Sequence, residues 1–112
     1  MDIQKVVLQL RSIAIDLENG YIMEIGRLEP VKKGWVVKVS GKTDFEGEDG
    51  MMEAIQIAKE TTKTISGYHD GENELWDVVE VFEDETKATL QGRLNEQMAI
   101  YQIETGRIKW LE

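Results

Sequence analysis

The chain has 112 residues, no cysteine, one histidine, 22 acidic against 13 basic side chains, and a formal net charge of −9. That length suits one domain with a single core. The absence of cysteine excludes disulfides and thiolate metal sites, and the acidity argues against binding phosphate backbones or anionic lipid. The charge is uneven: residues 1–43 hold seven basic and five acidic residues, and residues 44–112 hold six and seventeen. No apolar run approaches the roughly 18 residues needed to span a bilayer, and the opening Met1-Asp2-Ile3-Gln4-Lys5 lacks a signal-peptide pattern, so the expectation is a cytoplasmic protein.

From Ile3 to Leu17, apolar residues recur at spacings of three and four (Ile3, Val6, Val7, Leu10, Ile13, Ala14, Leu17), the stripe of an amphipathic helix stopped by Asn19-Gly20. Between Tyr21 and Ser40 the period becomes two: Tyr21, Met23 and Ile25, then Trp35, Val37 and Val39. With Pro30 to Gly34 as the link, this predicts a hairpin. Residues 42–50, with four acids around Phe45, read as an exposed loop. The spacing then predicts a second helix over Met51 to Ile65, with Asp49 as N-cap and Gly67 as stop. A polar connection through Tyr68-His69-Asp70-Gly71 leads to four expected strands: Leu75 to Glu83, Lys87 to Leu94, Gln97 to Glu104 and Arg107 to Leu111. The expected architecture is one α+β domain over residues 1–112. Its order is helix, two strands, helix, four strands, with both helices on one face of an antiparallel, mostly meander sheet in two layers.

Chemical signatures are sparse. His69 is the only imidazole, and Ser66 and Asp70 beside it invite a triad reading. Triads are assembled from separated elements, however, so the local cluster favours a solvated loop histidine. The acidic loop Asp44, Glu46, Glu48, Asp49 supplies oxygen ligands but misses the calcium-loop template, since Asp49 stands where that loop needs glycine and Ile55 where it needs glutamate. No cofactor or metal is expected, and no catalytic residue is assigned. Arg27, Lys32, Lys33 and Lys38 are the only basic cluster. Trp76, Tyr101 and Trp110 could line a ligand pocket between the helices and the sheet, or pack as core.

Two stretches resemble the gas vesicle protein O family: Gly34-Trp35-Val36-Val37-Lys38-Val39, and Trp76-Asp77-Val78-Val79-Glu80-Val81-Phe82-Glu83 followed by residues 99–110, Ala99-Ile100-Tyr101 through Gly106-Arg107-Ile108-Lys109-Trp110. The terminal hairpin also resembles small PepSY-like domains. The gas vesicle resemblance implies a non-catalytic role in assembling or regulating a protein shell. The residues themselves favour a non-enzymatic domain that binds a protein partner of basic character through Glu80, Glu83, Asp84 and Glu85, with self-association through a sheet edge as a route to a homodimer. The alternative is a small-ligand binding domain using Trp76, Tyr101 and Trp110.

Overall fold

The computed structural model describes residues 21–70 and 73–111, so the expected helix over Ile3 to Leu17 lies outside the described residues. The elements run β1 (Tyr21–Glu24), β2 (Glu29–Pro30), β3 (Trp35–Lys38), β4 (Phe45–Glu46), α1 (Gly47–Glu60), β5 (Thr64–Asp70), β6 (Asn73–Phe82), α2 (Glu85–Leu94), β7 (Ala99–Gln102) and β8 (Ile108–Trp110). The fold is α+β, as expected, with an eight-stranded antiparallel sheet ordered β2-β1-β5-β6-β3-β7-β8. β4 adds to β6 through Phe45↔Trp76, beyond the stretch of β6 that β3 occupies through Trp35↔Phe82.

This order corrects the expected hairpin. β1 does not pair with β3; it turns back at once onto β2, and its other edge takes β5. The turn is closed by the Glu24 carboxylate, which accepts the N–H groups of Gly26 and Arg27 at 2.9 Å each, with Leu28 in the left-handed region at φ 56°. Pro30 sits in β2 at the sheet margin, where a missing backbone donor costs no ladder bond. The expected meander is likewise broken, because β3 inserts between β6 and β7.

α1 begins at Gly47 and ends at Glu60, earlier at both ends than the expected Met51 to Ile65, and Asp49 falls in its first turn rather than at its cap. Lys63, at φ 60°, supplies the stop expected of Gly67: its N–H reaches back to the Ala58 carbonyl at 2.7 Å. The chain is then free to extend, so residues 64–70 form a strand instead of a helix end and a loop. Gly67 belongs to that strand for a packing reason. A Cβ there would lie 2.3 Å from the Trp76 ring, so the indole of β6 lies directly over the bare backbone of β5.

The largest correction concerns residues 87–94, which are helical. Asp84 caps α2, its carboxylate accepting the N–H groups of Thr86 and Lys87 at 2.7 and 3.1 Å. The helix buries its small residues, Ala88, Thr89 and Gly92, and leaves Leu90 and Leu94 exposed. A Cβ on Gly92 would meet a Leu111 methyl at 2.6 Å, so the close approach depends on that glycine. Hydrophobicity here runs opposite to burial, which is why an alternating pattern suggested a strand.

Both described helices pack on the same face of the sheet. α1 sets Met51, Ala54, Ile55 and Ala58 against Met23, Ile65, Trp76 and Val78. α2 sets Ala88 against Trp35, Val37 and Ile100, beside Phe82. Trp76, Val78 and Phe82 alternate along β6 and so point to one side. A third cluster, Ile22, Val36 and Val79, lies on the reverse face.

Candidate interaction groove

β7 and β8 form a hairpin closed by Gly106 at φ 72°, whose N–H donates to the Gln102 carbonyl at 2.8 Å. Thr105 Oγ1 donates to Gln102 Oε1 at 2.7 Å and accepts the Arg107 N–H at 3.2 Å. Among the described residues β8 pairs only with β7 and ends the sheet, so its outer backbone groups face no strand. The hairpin is held to α2 by ion pairs from Arg107 and Lys109 to Glu85, at 3.0 and 3.7 Å, and by Lys109 donating to Thr89 Oγ1 at 2.8 Å. The Arg107 guanidinium also stands 5.4 Å over the Trp35 ring.

Register places Ala99 opposite Trp110 and Tyr101 opposite Ile108, so these four share the reverse face. There a groove of about 500 Å³ opens, lined by Lys38, Met98, Tyr101, Ile108 and Trp110, with Glu96 and Gln97 at its wall. Met98, Ile108 and Trp110 are exposed, Trp110 to 64%. The groove's polar end is fixed. Lys38 Nζ lies 3.3 Å from Asp77 Oδ2 and 5.6 Å over the Tyr68 ring. Asp77 Oδ1 accepts the Asp44 N–H at 2.7 Å, whereas Oδ2 has no hydrogen-bond partner among the described residues and is met by the ammonium alone. Burial, with the Asp77 charge adding to it, pushes the Tyr101 phenol up to about 12.

The structure therefore brings Tyr101 and Trp110 together and separates Trp76 from them. Trp76 is buried beneath α1, in the core on the opposite face. The aromatic hollow is not between helices and sheet, because α1 and α2 fill that space with side chains. The acidic quartet is divided too. Glu80 is half-buried opposite Val37, Asp84 is spent on the α2 cap, Glu85 on Arg107 and Lys109, and only Glu83 is exposed without such a role. The basic cluster is diluted: Arg27, Lys32 and Lys33 share a hollow of about 510 Å³ with Glu24, Glu29 and Glu83.

His69 lies in β5 opposite Glu74, and Ser66 opposite Asp77, rather than in a loop. Asp44 of the acidic loop accepts a hydrogen bond from the Tyr68 hydroxyl at 3.1 Å. Among the described residues no three His, Cys, Asp or Glu side chains converge as metal ligands, and no helix is long and apolar enough to cross a membrane. Sequence reasoning missed Lys38, Met98 and Ile108 as groove residues; the signal it passed over was the pairing of Ile108 with Trp110 on alternate positions of a short terminal strand. No family model, curated protein or solved structure matches the chain.

Proposed function

We propose that the chain is a non-enzymatic protein-interaction domain, an accessory or regulatory subunit that receives an extended segment of a basic partner along β8. The observation that carries this reading is the coincidence of Met98, Ile108 and Trp110, exposed in one groove, with a strand edge beside it that no described strand occupies. Strand addition takes affinity from main-chain hydrogen bonds and specificity from side-chain pockets next to the edge, and tryptophan is among the residue types enriched at binding hot spots. The net charge of −9 favours a cationic partner through steering. Glu83 is the member of the acidic quartet left for that role. Should the resemblance to the gas vesicle protein O family reflect kinship, the partner would be a shell component; the stretches that carry it fall on β3, β6, β7 and β8.

The second reading, a small apolar ligand in the same groove, is favoured by the aromatic pair Tyr101 and Trp110 beside the anchored Lys38 ammonium, in a volume within the usual range for ligand sites. One experiment separates the two. Proteins retained from the source lysate by the wild-type chain and by Trp110→Ser are compared at low and raised salt, alongside sedimentation of both. A stoichiometric partner lost in the variant, and weakened by salt, supports the interaction domain. A wild-type dimer that becomes monomeric in the variant makes the partner a second copy. No retained partner and no dimer, with melting raised by a small apolar molecule in the wild type alone, replaces the proposal with the ligand reading.

A further inference from the structure

α1 and α2 pack on the same face of the sheet and turn opposite chemistry outward. α1 buries Met51, Ala54, Ile55 and Ala58 and exposes Glu48, Asp49, Glu53, Gln56 and Glu60, the ordinary division of an amphipathic helix. α2 buries Ala88, Thr89 and Gly92 and exposes Thr86, Lys87, Leu90, Arg93 and Leu94. Leu90 and Leu94 are 57% and 77% exposed. They stand one turn apart and adjoin as a ridge, unlike apolar residues scattered singly over a surface. At about 100° per residue, Lys87 and Arg93 fall on opposite sides of that ridge, where their aliphatic stems widen the apolar strip and their charges edge it.

Neither cation is spent within the chain. Among the described residues the ion pairs made to α2 come from Arg107 and Lys109 onto Glu85, and no carboxylate meets the side chain of Lys87 or Arg93. Residues 85–111 hold four basic and three acidic residues, against nine and nineteen in the remainder of the chain. Of the three acids, Glu85 is held by Arg107 and Lys109, Glu104 accepts the Gly34 N–H at 3.0 Å, and Glu96 lies at the wall of the groove on the reverse face. The outer surface of α2 is therefore an apolar ridge edged by two free cations on a strongly acidic protein.

We propose that the outer face of α2 is a second docking surface, fitted to an amphipathic helix of a partner protein whose apolar stripe is edged by Asp or Glu. A leucine pair at i, i+4 is the ridge that packs into the groove of a facing helix, and Lys87 and Arg93 beside it select carboxylates and reject a basic helix. Anionic lipid, the other surface that would meet leucines and cations together, is repelled by the net charge of −9. A second copy fits less well: the outer face of α1 offers carboxylates, but its large apolar side chains, Met52 and Ile57 included, are turned wholly or partly into the core. The surface lies on the side of the sheet opposite the Trp110 groove, so the two are independent and a chain occupied at both would link two proteins.

The probe is a fluorescent helical peptide with leucines at one-turn spacing flanked by glutamates, titrated with the full chain and read by anisotropy. Leu90→Gln with Leu94→Gln, and separately Lys87→Glu with Arg93→Glu, should each weaken binding about ten-fold or more, while Lys87→Arg with Arg93→Lys and Trp110→Ser leave it as in the wild type. All of these positions are exposed, so each variant should melt close to the wild type. Absence of binding, equal binding by the wild type and the leucine variant, or loss of binding in Trp110→Ser overturns the proposal. So does a wild-type dimer in sedimentation that the leucine variant makes monomeric, which would seat a second copy on α2, or binding to phosphatidylserine vesicles in place of the peptide.

Discussion

Trp76 and Trp110 stand in similar strand sequences, each among alternating apolar and charged residues, and their environments are opposite. Trp76, in the middle of the sheet, is 1% exposed between α1 and the bare backbone of Gly67; Trp110, on the terminal strand, is 64% exposed. An alternating pattern specifies which side of a strand is apolar. Whether anything covers that side depends on where the strand lies in the sheet and which elements return to it, and here the same chemistry serves as core in one place and as a docking surface in the other.

The sharpest way to break the comparison is alanine at each tryptophan. Trp76→Ala should cost about 3–5 kcal/mol, the usual range for emptying a large aromatic site. Trp110→Ala should change stability by less than about 0.5 kcal/mol, as at exposed positions generally. Urea denaturation measures both, and near-equal values would remove the distinction between the two regions.

Tyr101, between core and groove, sharpens the contrast. Its native pKa of about 12 lies above the ordinary value of 10.0, so the protonated phenol favours the folded state. Its contribution is fully present below pH 10, where the unfolded chain also keeps the proton, and is lost as pH rises from 10 to about 12. Phenolate absorbance should show a late-titrating component that disappears in Tyr101→Phe, and that substitution should flatten the fall in stability across the window. A more modest effect than that at Trp76 concerns α2: Asp84→Ala removes the acceptor of two helix N–H groups and should cost about 1 kcal/mol, read from the denaturation midpoint.

The α+β class and the positions of most strands were legible because alternation in residues 35–38, 75–82 and 99–102 is strong and the turn after Gln102 carries glycine. Pairing was not legible, since β3 joins β6 and β7 by contacts that no local pattern encodes. α2 was misread because close packing against Leu111 selects Gly92 and Ala88 over leucine. Asp84 carried a usable signal, an acid followed by helix-compatible residues, which the alternation of Ala88 and Leu90 outweighed. For the groove, the sequence marked Tyr101 and Trp110 as aromatic candidates, while grouping them with Trp76 required knowing which face each strand presents.

The insertion of β3 between β6 and β7 also sets a timetable for folding. Strands β5 and β6 are neighbours in sequence and make the longest ladder, so their hairpin can close locally. β1, β3 and β4 all precede it; β1 has β2 close by, but its pairing with β5 and the pairings of β3 and β4 with β6 span long stretches of chain, with Trp35 pairing Phe82 more than forty residues later. Such distant pairings bear the loop-closure entropy before any contact offsets it, which places the chain among slower-folding small domains. On a ribosome β3 would emerge well before either of its partner strands, and its apolar Trp35-Val36-Val37 segment would wait in the open until β6 arrived.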